Sequence, residues 1–197
     1  MILTSKNDHL INSFGIRHGM PEPISEAPVT ALGFRHWIEL YNKSSVLEST
    51  YPPLSAVNYA HDCNAIICSR LQRSIDSASI LNAGKIVLCD DLFIEAGLPS
   101  ASWRTFKMTP KFWAICFRVL WLLGYSNHSE SIKEVKARAA LATDKLIELA
   151  TLHHKVLFVG HGIFNRFLVK ELIRRGWSGA KSPQSEYWAG DLYKKSY

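Results

Sequence analysis

Short apolar runs alternate with longer amphipathic stretches along most of the chain. Residues 9–16 (HLINSFGI) read as a strand that runs into a tight loop. Residues 65–68 (AIIC), 85–89 (KIVLC) and 155–159 (KVLFV) have the length and composition of short buried strands. Between them the spacing predicts helices. Residues 30–42 carry Leu32, Trp37, Leu40 and Tyr41 on roughly helical spacing, and residues 71–81 are followed by a stop signal at Gly84. Residues 112–123 repeat with a period near four. Residues 131–152 open on Ser131 and Glu134, three apart as in a capping box, and bring apolar faces from Val135, Ala139, Leu146, Ile147 and Leu149. Residues 164–175 end on basic side chains and are closed by Gly176. A strand–helix–strand rhythm of this kind predicts an α/β domain with a mostly parallel sheet.

Composition narrows the picture. The chain has 197 residues, the size of one domain with room for one insertion. With 47% hydrophobic and 20% charged residues it is not a disordered chain, and it shows no fixed-period repeat. The longest apolar stretch, residues 112–125, is interrupted by Arg118 and falls short of the roughly 20 residues of a membrane span. The opening residues lack an apolar core and a small-residue cleavage site, so no signal peptide is expected. Four cysteines form no Cys-x-x-Cys pair, and Cys68, Cys89 and Cys116 sit in apolar runs. Buried free thiols and a reducing, cytoplasmic setting are therefore expected. The formal net charge is +6, from 23 Lys and Arg against 17 Asp and Glu. That excess points to an anionic partner: a phosphorylated small molecule, a nucleic acid or a membrane surface. The basic residues are scattered and no nucleic-acid-binding motif is present, which argues against nucleic acid.

In a parallel sheet, ligands bind beyond the carboxyl ends of the strands. There the chain offers Arg17-His18-Gly19, then Ser69-Arg70-Leu71-Gln72-Arg73, then Asp90, Asp91 and Glu95, then Gly160-His161-Gly162. This set suits phosphoryl transfer. Arginine presents a planar fork that matches phosphate oxygens. A neutral imidazole is a competent nucleophile, and a second histidine can hydrogen-bond the transferring group. A carboxylic acid can protonate the leaving oxygen. Glycines beside each histidine allow close backbone approach, and the Gly162 amide opens the next helix as an anion site. Taken singly, a histidine after a strand is most often structural and Arg73 reads as a solvated helix residue. The information lies in the order and spacing of the whole set.

With these blocks in order, residues 9–175 resemble the histidine phosphatase superfamily, also called phosphoglycerate mutase-like. The resemblance rests on FGIRHG (Arg17, His18, Gly19), on SRLQRS, whose last arginine is Arg73, and on LFVGHG with His161. Weaker echoes are Thr30 with Gly33, and Glu130 with Ser131.

The resemblance implies a three-layer α/β sandwich, a mostly parallel central sheet flanked by helices. It implies a single domain over residues 1–197 with a covering insertion at about 97–130. In it His18 is the nucleophile that becomes a phosphohistidine, Arg17, Arg73 and His161 complete the phosphate pocket, and Glu95 is the general acid. No metal or other cofactor is implied. Asp90 and Asp91 then solvate their loop, Arg70 is a surface residue, and His153-His154 is a solvated turn rather than a metal motif. The mutase branch carries Ser and Asn a few residues after its Arg-His-Gly, where this chain has Met20-Pro21-Glu22-Pro23. That departure favours a phosphatase over a mutase. The aromatic-rich insertion favours a small phosphorylated metabolite over a phosphoprotein, and the intact pocket set argues against a catalytically silent binding module. Core packing accounts for most of Trp103, Phe106, Phe112, Trp113, Phe117 and Trp121. The tip SWRTFK mixes aromatic and basic residues, which makes Arg104 and Lys107 candidates for an anionic part of the substrate. The segment 176–197, with Trp177, Tyr187, Trp188 and Tyr193, reads equally as an edge strand or a dimer contact.

Overall fold

The computed structural model describes residues 10–82, 85–103 and 105–196. His9, Gly84 and Arg104 of the readings above lie outside the described residues. The observed elements are β1 (Leu10–Arg17), α1 (Ala31–Lys43), α2 (Leu54–Asp62), β2 (Ala65–Cys68), α3 (Gln72–Leu81), β3 (Ile86–Cys89), α4 (Pro110–Leu122), α5 (Ile132–His153), β4 (Lys155–Gly160), α6 (Gly162–Arg174) and β5 (Gly190–Ser196). A short 3₁₀ turn, Asp91–Phe93, follows β3.

The five strands form one sheet in the order β3-β2-β4-β1-β5. The first four are parallel and β5 runs antiparallel to β1. All four residues of β2 are buried, and so are the last five of β4. Their side chains alternate between two cores. Ile67, Val156 and Phe158 pack with α5 and α6 through Val135, Leu146, Phe164 and Leu168. Ile66, Leu157 and Val159 pack with α2 and α3 through Ala56, Ala60, Ala78 and Leu81. A sheet covered on both faces needs continuous apolar strands, which is why AIIC and KVLFV show no polar alternation. The fold is the expected three-layer α/β sandwich.

Local signals place the helix ends. Thr30 caps α1 by accepting from the Gly33 amide, and Thr109 caps α4, with Pro110 at its first position. Ser131 and Glu134 form the capping box of α5 in both directions. At the end of α6, Gly176 lies at φ 84°, and the Gly176 and Trp177 amides donate back to Ile173 and Leu172.

A third cluster joins α1 to α4 through Phe34, Trp113 and Phe117. Trp113, Phe117 and Trp121 are core residues, whereas Trp103 and Phe106 are exposed. The thiol expectation needs correction: Cys63 and Cys68 are buried, Cys116 is half-buried and Cys89 is exposed. Cys89 ends β3, an edge strand with one open side. Its Sγ lies 3.0 Å from that of Cys68, its register partner on β2. Helix α2 went unpredicted because only Ala56 and Ala60 are buried in it, and two small residues leave little periodic signal. Segment 176–196 contains an edge strand, β5, paired with β1 along seven register positions.

Candidate active site

The carboxyl ends of β1, β2 and β4 bring Arg17, His18, Arg73 and His161 together. The ring centroids of His18 and His161 are 5.0 Å apart, and both histidines are buried, as is Arg73. His18 follows β1 and is held by its own backbone, whose amide donates to the Gly160 carbonyl at 3.0 Å. Its ring Nδ1 lies 2.7 Å from the Gly19 carbonyl oxygen. A carbonyl can only accept, so Nδ1 carries the proton and Nε2 keeps its lone pair. That lone pair faces Arg73, whose Nε–H donates to it at 3.2 Å. Burial, with Arg73 as the next cause, lowers the His18 pKa to about 3. His18 is therefore a neutral imidazole with a defined tautomer.

His161 is fully buried, and burial holds its pKa well below the usual imidazole value. Its Nε2 is 2.7 Å from Ser69 Oγ. Ser69 Oγ accepts from the Leu71 amide at 3.2 Å, so its hydrogen is available to Nε2. In that arrangement Nδ1 holds the ring proton. His161 Nδ1 and Arg17 Nε are both buried and have no hydrogen-bond partner among the described residues. With Nδ1 protonated, these two buried donors beside a neutral imidazole suit an oxyanion.

Both histidines are pushed toward their neutral forms by folding. An unfolded chain binds their protons below about pH 6.5, and the folded protein does not until far lower. Stability is therefore present above pH 6.5 and falls as pH drops toward 3, by up to about 1.4 kcal/mol per pH unit for each histidine. Melting temperatures between pH 7 and 4 should show that fall, with a shallower slope in His18→Asn.

Two glycines are fixed by close approach rather than by turn geometry. A Cβ on Gly19 would sit 2.4 Å from the Trp188 indole and 2.7 Å from Val46. A Cβ on Gly160 would sit 2.1 Å from Asn165 Oδ1, which accepts from the His161 amide at 3.0 Å. Side chains at these positions would displace the two histidines.

Arg73 spans the site. Besides His18 it reaches the Tyr41 carbonyl at 3.1 Å and lies 4.7 Å from the centre of the Tyr41 ring. Burial pulls its pKa down, opposed by Tyr41 and Glu95. Arg70, by contrast, is exposed and makes only a 3.8 Å ion pair with Asp91. Asp91 is exposed too, and Asp90 caps the 3₁₀ turn by accepting from the Leu92 amide.

Glu95 lines the same cleft but is tied to α6. One oxygen accepts from the Ala96 and Phe164 amides at 2.9 and 2.8 Å, the other from the Ile163 amide at 3.3 Å. The Ile163 and Phe164 amides in the first turn of α6 are thus held by a carboxyl group of the protein itself. Glu130 forms a bidentate pair with Arg138 at 2.8 and 2.7 Å, and Arg138 also holds the Leu92 and Ile94 carbonyls, which anchors the loop that carries Glu95.

The cleft beside these groups has a volume of about 810 Å³. One wall is α1, through Trp37, Ile38 and Tyr41. The opposite wall comes from 97–130, through Leu98, Lys111, Ala114, Arg118 and His128. Lys107 is exposed and does not line the cleft. Among the described residues of this segment, the cations that line it are Lys111 and Arg118. Arg118 donates to the Ala96 carbonyl at 3.0 Å and lies over the Trp121 ring.

Sequence reading did not assign roles to Tyr187, Tyr41 and Ser69. Ser69 opens the SRLQR block, so its position was visible although its contact with His161 was not. Tyr187 stands in the C-terminal aromatic group, where nothing local links it to Arg17.

A parallel α/β sheet with two histidines and two arginines at its carboxyl edge defines a class of phosphate-handling proteins. The profile of the histidine phosphatase superfamily (branch 1) matches residues 55–187, and the chain belongs to that superfamily. The matched stretch contains Arg73, Glu95 and His161, while Arg17 and His18 precede it. A search of curated proteins finds no sequence relative. Solved structures share the fold. A mycobacterial glucosyl-3-phosphoglycerate phosphatase is 20% identical with a TM-score of 0.55, over 84% of this chain and 80% of its own. An Escherichia coli protein named as an α-ribazole-5′-P phosphatase is 15% identical with a TM-score of 0.55, over 83% and 80%. A protein called mycobacterial hydrolase 2 is 18% identical with a TM-score of 0.55, over 95% and 89%.

Proposed function

We propose that this chain is a phosphatase that hydrolyses the phosphomonoester of a small metabolite through a phosphohistidine on His18. The observation that carries the reading is the neutral His18, whose Nε2 keeps its lone pair, in one site with Arg17 Nε and His161 Nδ1, two buried nitrogens without a hydrogen-bond partner among the described residues. Nε2 attacks phosphorus as the phosphorus–oxygen bond to the leaving group breaks. Glu95 gives its proton to that leaving oxygen. Water then attacks the phosphohistidine, Glu95 takes the water's proton, and inorganic phosphate leaves. Arg17, Arg73 and His161 meet the charge on the equatorial oxygens, which is how phosphoryl transfer is promoted in general.

Support for a phosphatase rather than a mutase comes from Met20-Pro21-Glu22-Pro23, which lacks the Ser and Asn of the mutase branch. The cleft, enclosed on two sides and of a size for a small molecule, supports a metabolite over a phosphoprotein. We read residues 1–197 as a single domain in which 97–130 covers the site.

The test is a panel of aryl and alkyl phosphates assayed in EDTA, wild type beside Glu95→Gln. Wild type should turn over both kinds of ester and accumulate an acid-labile phosphoprotein. The variant should lose about 10²-fold or more on alkyl phosphates, which need a proton on the leaving oxygen, and about tenfold or less on aryl phosphates. Equal losses on both would remove Glu95 as the acid. Because Glu95 also caps α6, melting temperatures separate a lost cap from a lost acid. Absence of turnover with tight binding of the esters would turn the reading into a phospho-ligand binding module.

A further inference from the structure

The guanidinium of Arg17 is held almost entirely by a segment of chain far away in sequence. Its NH1 donates to the Ser185 carbonyl, 168 residues away. Its central carbon lies 4.0 Å over the Tyr187 ring. The backbone is stitched there as well: the Arg17 amide donates to the Ala189 carbonyl at 2.9 Å, and the Trp188 amide to the Arg17 carbonyl at 3.1 Å. Trp188 sits at φ 64°, a left-handed conformation that a bulky side chain adopts only where its surroundings impose it. Gln184 closes the segment by donating to the Gly190 carbonyl at 3.0 Å and to Asp191. The result is a clasp over the Arg-His-Gly backbone.

Tyr187 is half-buried and lines the cleft. Its ring centre is also 5.7 Å from that of His18. Tyr41 stands near it, and burial, with Tyr187 as the next cause, pushes the Tyr41 hydroxyl up to a pKa of about 12. Tyr41 in turn carries Arg73 over its own ring. Each arginine of the site therefore rests on one tyrosine.

We propose that Tyr187 is a positioning residue that holds the Arg17 guanidinium toward the substrate's phosphoryl group. The proposal rests on the phosphatase reading for what the arginines bind, but the clasp itself does not. A flat aromatic face orients a guanidinium without neutralising it, whereas a carboxylate in the same place would compete with the substrate's anion. A leucine in its place keeps much of the apolar volume and loses the ring face.

The experiment compares wild type, Tyr187→Phe and Tyr187→Leu, each also in an Arg17→Ala background. Inhibition by inorganic phosphate and kcat/KM for an aryl phosphate are measured alongside the ¹⁵N–¹H signal of Arg17 Nε. Tyr187→Leu should weaken phosphate inhibition and kcat/KM about tenfold and remove the ring-current shift of the Arg17 signal. Tyr187→Phe keeps the ring and should stay within about threefold of wild type with the shift intact. In the Arg17→Ala background, Tyr187→Leu should add less than about twofold. Two results would overturn the proposal: an unshifted Arg17 signal in wild type, or a Tyr187→Leu loss of the same size with and without Arg17. A protein that turns over no phosphomonoester, yet shows the expected Arg17 signals, would refute the phosphatase reading and leave the clasp standing.

Discussion

Alanine in place of His18 should abolish phosphomonoester turnover, by about 10⁴-fold or more in kcat, because no other group in the site supplies the attacking lone pair. His161 is the nearest alternative. In the hydrogen-bond arrangement described, its Nε2 is engaged by Ser69 and its Nδ1 carries a proton. The same variant should form no acid-labile phosphoprotein. Binding of inorganic phosphate should survive within about tenfold, since Arg17, Arg73 and His161 remain. Steady-state kinetics, acid-quench labelling and phosphate titration together check this result. Turnover above about 1% of wild type would place the nucleophile elsewhere.

The second large effect is expected at Arg73. Methionine there keeps most of the buried volume and removes the fork that reaches both His18 and the Tyr41 carbonyl. A fall in kcat of about 10²–10³ is expected, the usual cost of losing one charged donor to a developing oxyanion. The loss should be accompanied by a shift in pH dependence. Arg73 is the second cause, after burial, of the low His18 pKa, so its removal lets that pKa rise from about 3 toward the usual value. The acid limb of kcat/KM should then move to higher pH in Arg73→Met. A variant with less than about threefold loss and an unmoved acid limb would show that Arg73 does not touch the reaction.

The residues legible in the sequence are those whose position follows from strand ends. Arg17, His18 and His161 stand where β1 and β4 finish, and a parallel sheet brings such residues to one edge. Arg73 is the second residue of α3, close enough to β2 for the spacing of SRLQR to reach the same edge. Glu95 was legible as a cleft carboxylate but not as the cap of α6, because the amides it holds lie 68 and 69 residues away. Helix α2 was missed for want of large apolar residues. Arg104 and Lys107 were favoured by the composition of their loop, yet composition does not say which way a loop side chain faces: Lys107 is exposed, Arg104 lies outside the described residues, and Lys111 and Arg118 line the wall. The stacking of Tyr187 on Arg17 has no local signature at all, since ring contacts across a sheet edge follow from tertiary placement.

The antiparallel pairing of β5 with β1 also has a consequence for the order of assembly. His18 is synthesised directly after the first strand, whereas the Ser185 carbonyl that braces its neighbour Arg17 lies 168 residues further along the chain than that arginine. Closing so long a loop is one of the slower steps open to a folding chain. The growing chain thus carries His18 well before it carries a braced Arg17.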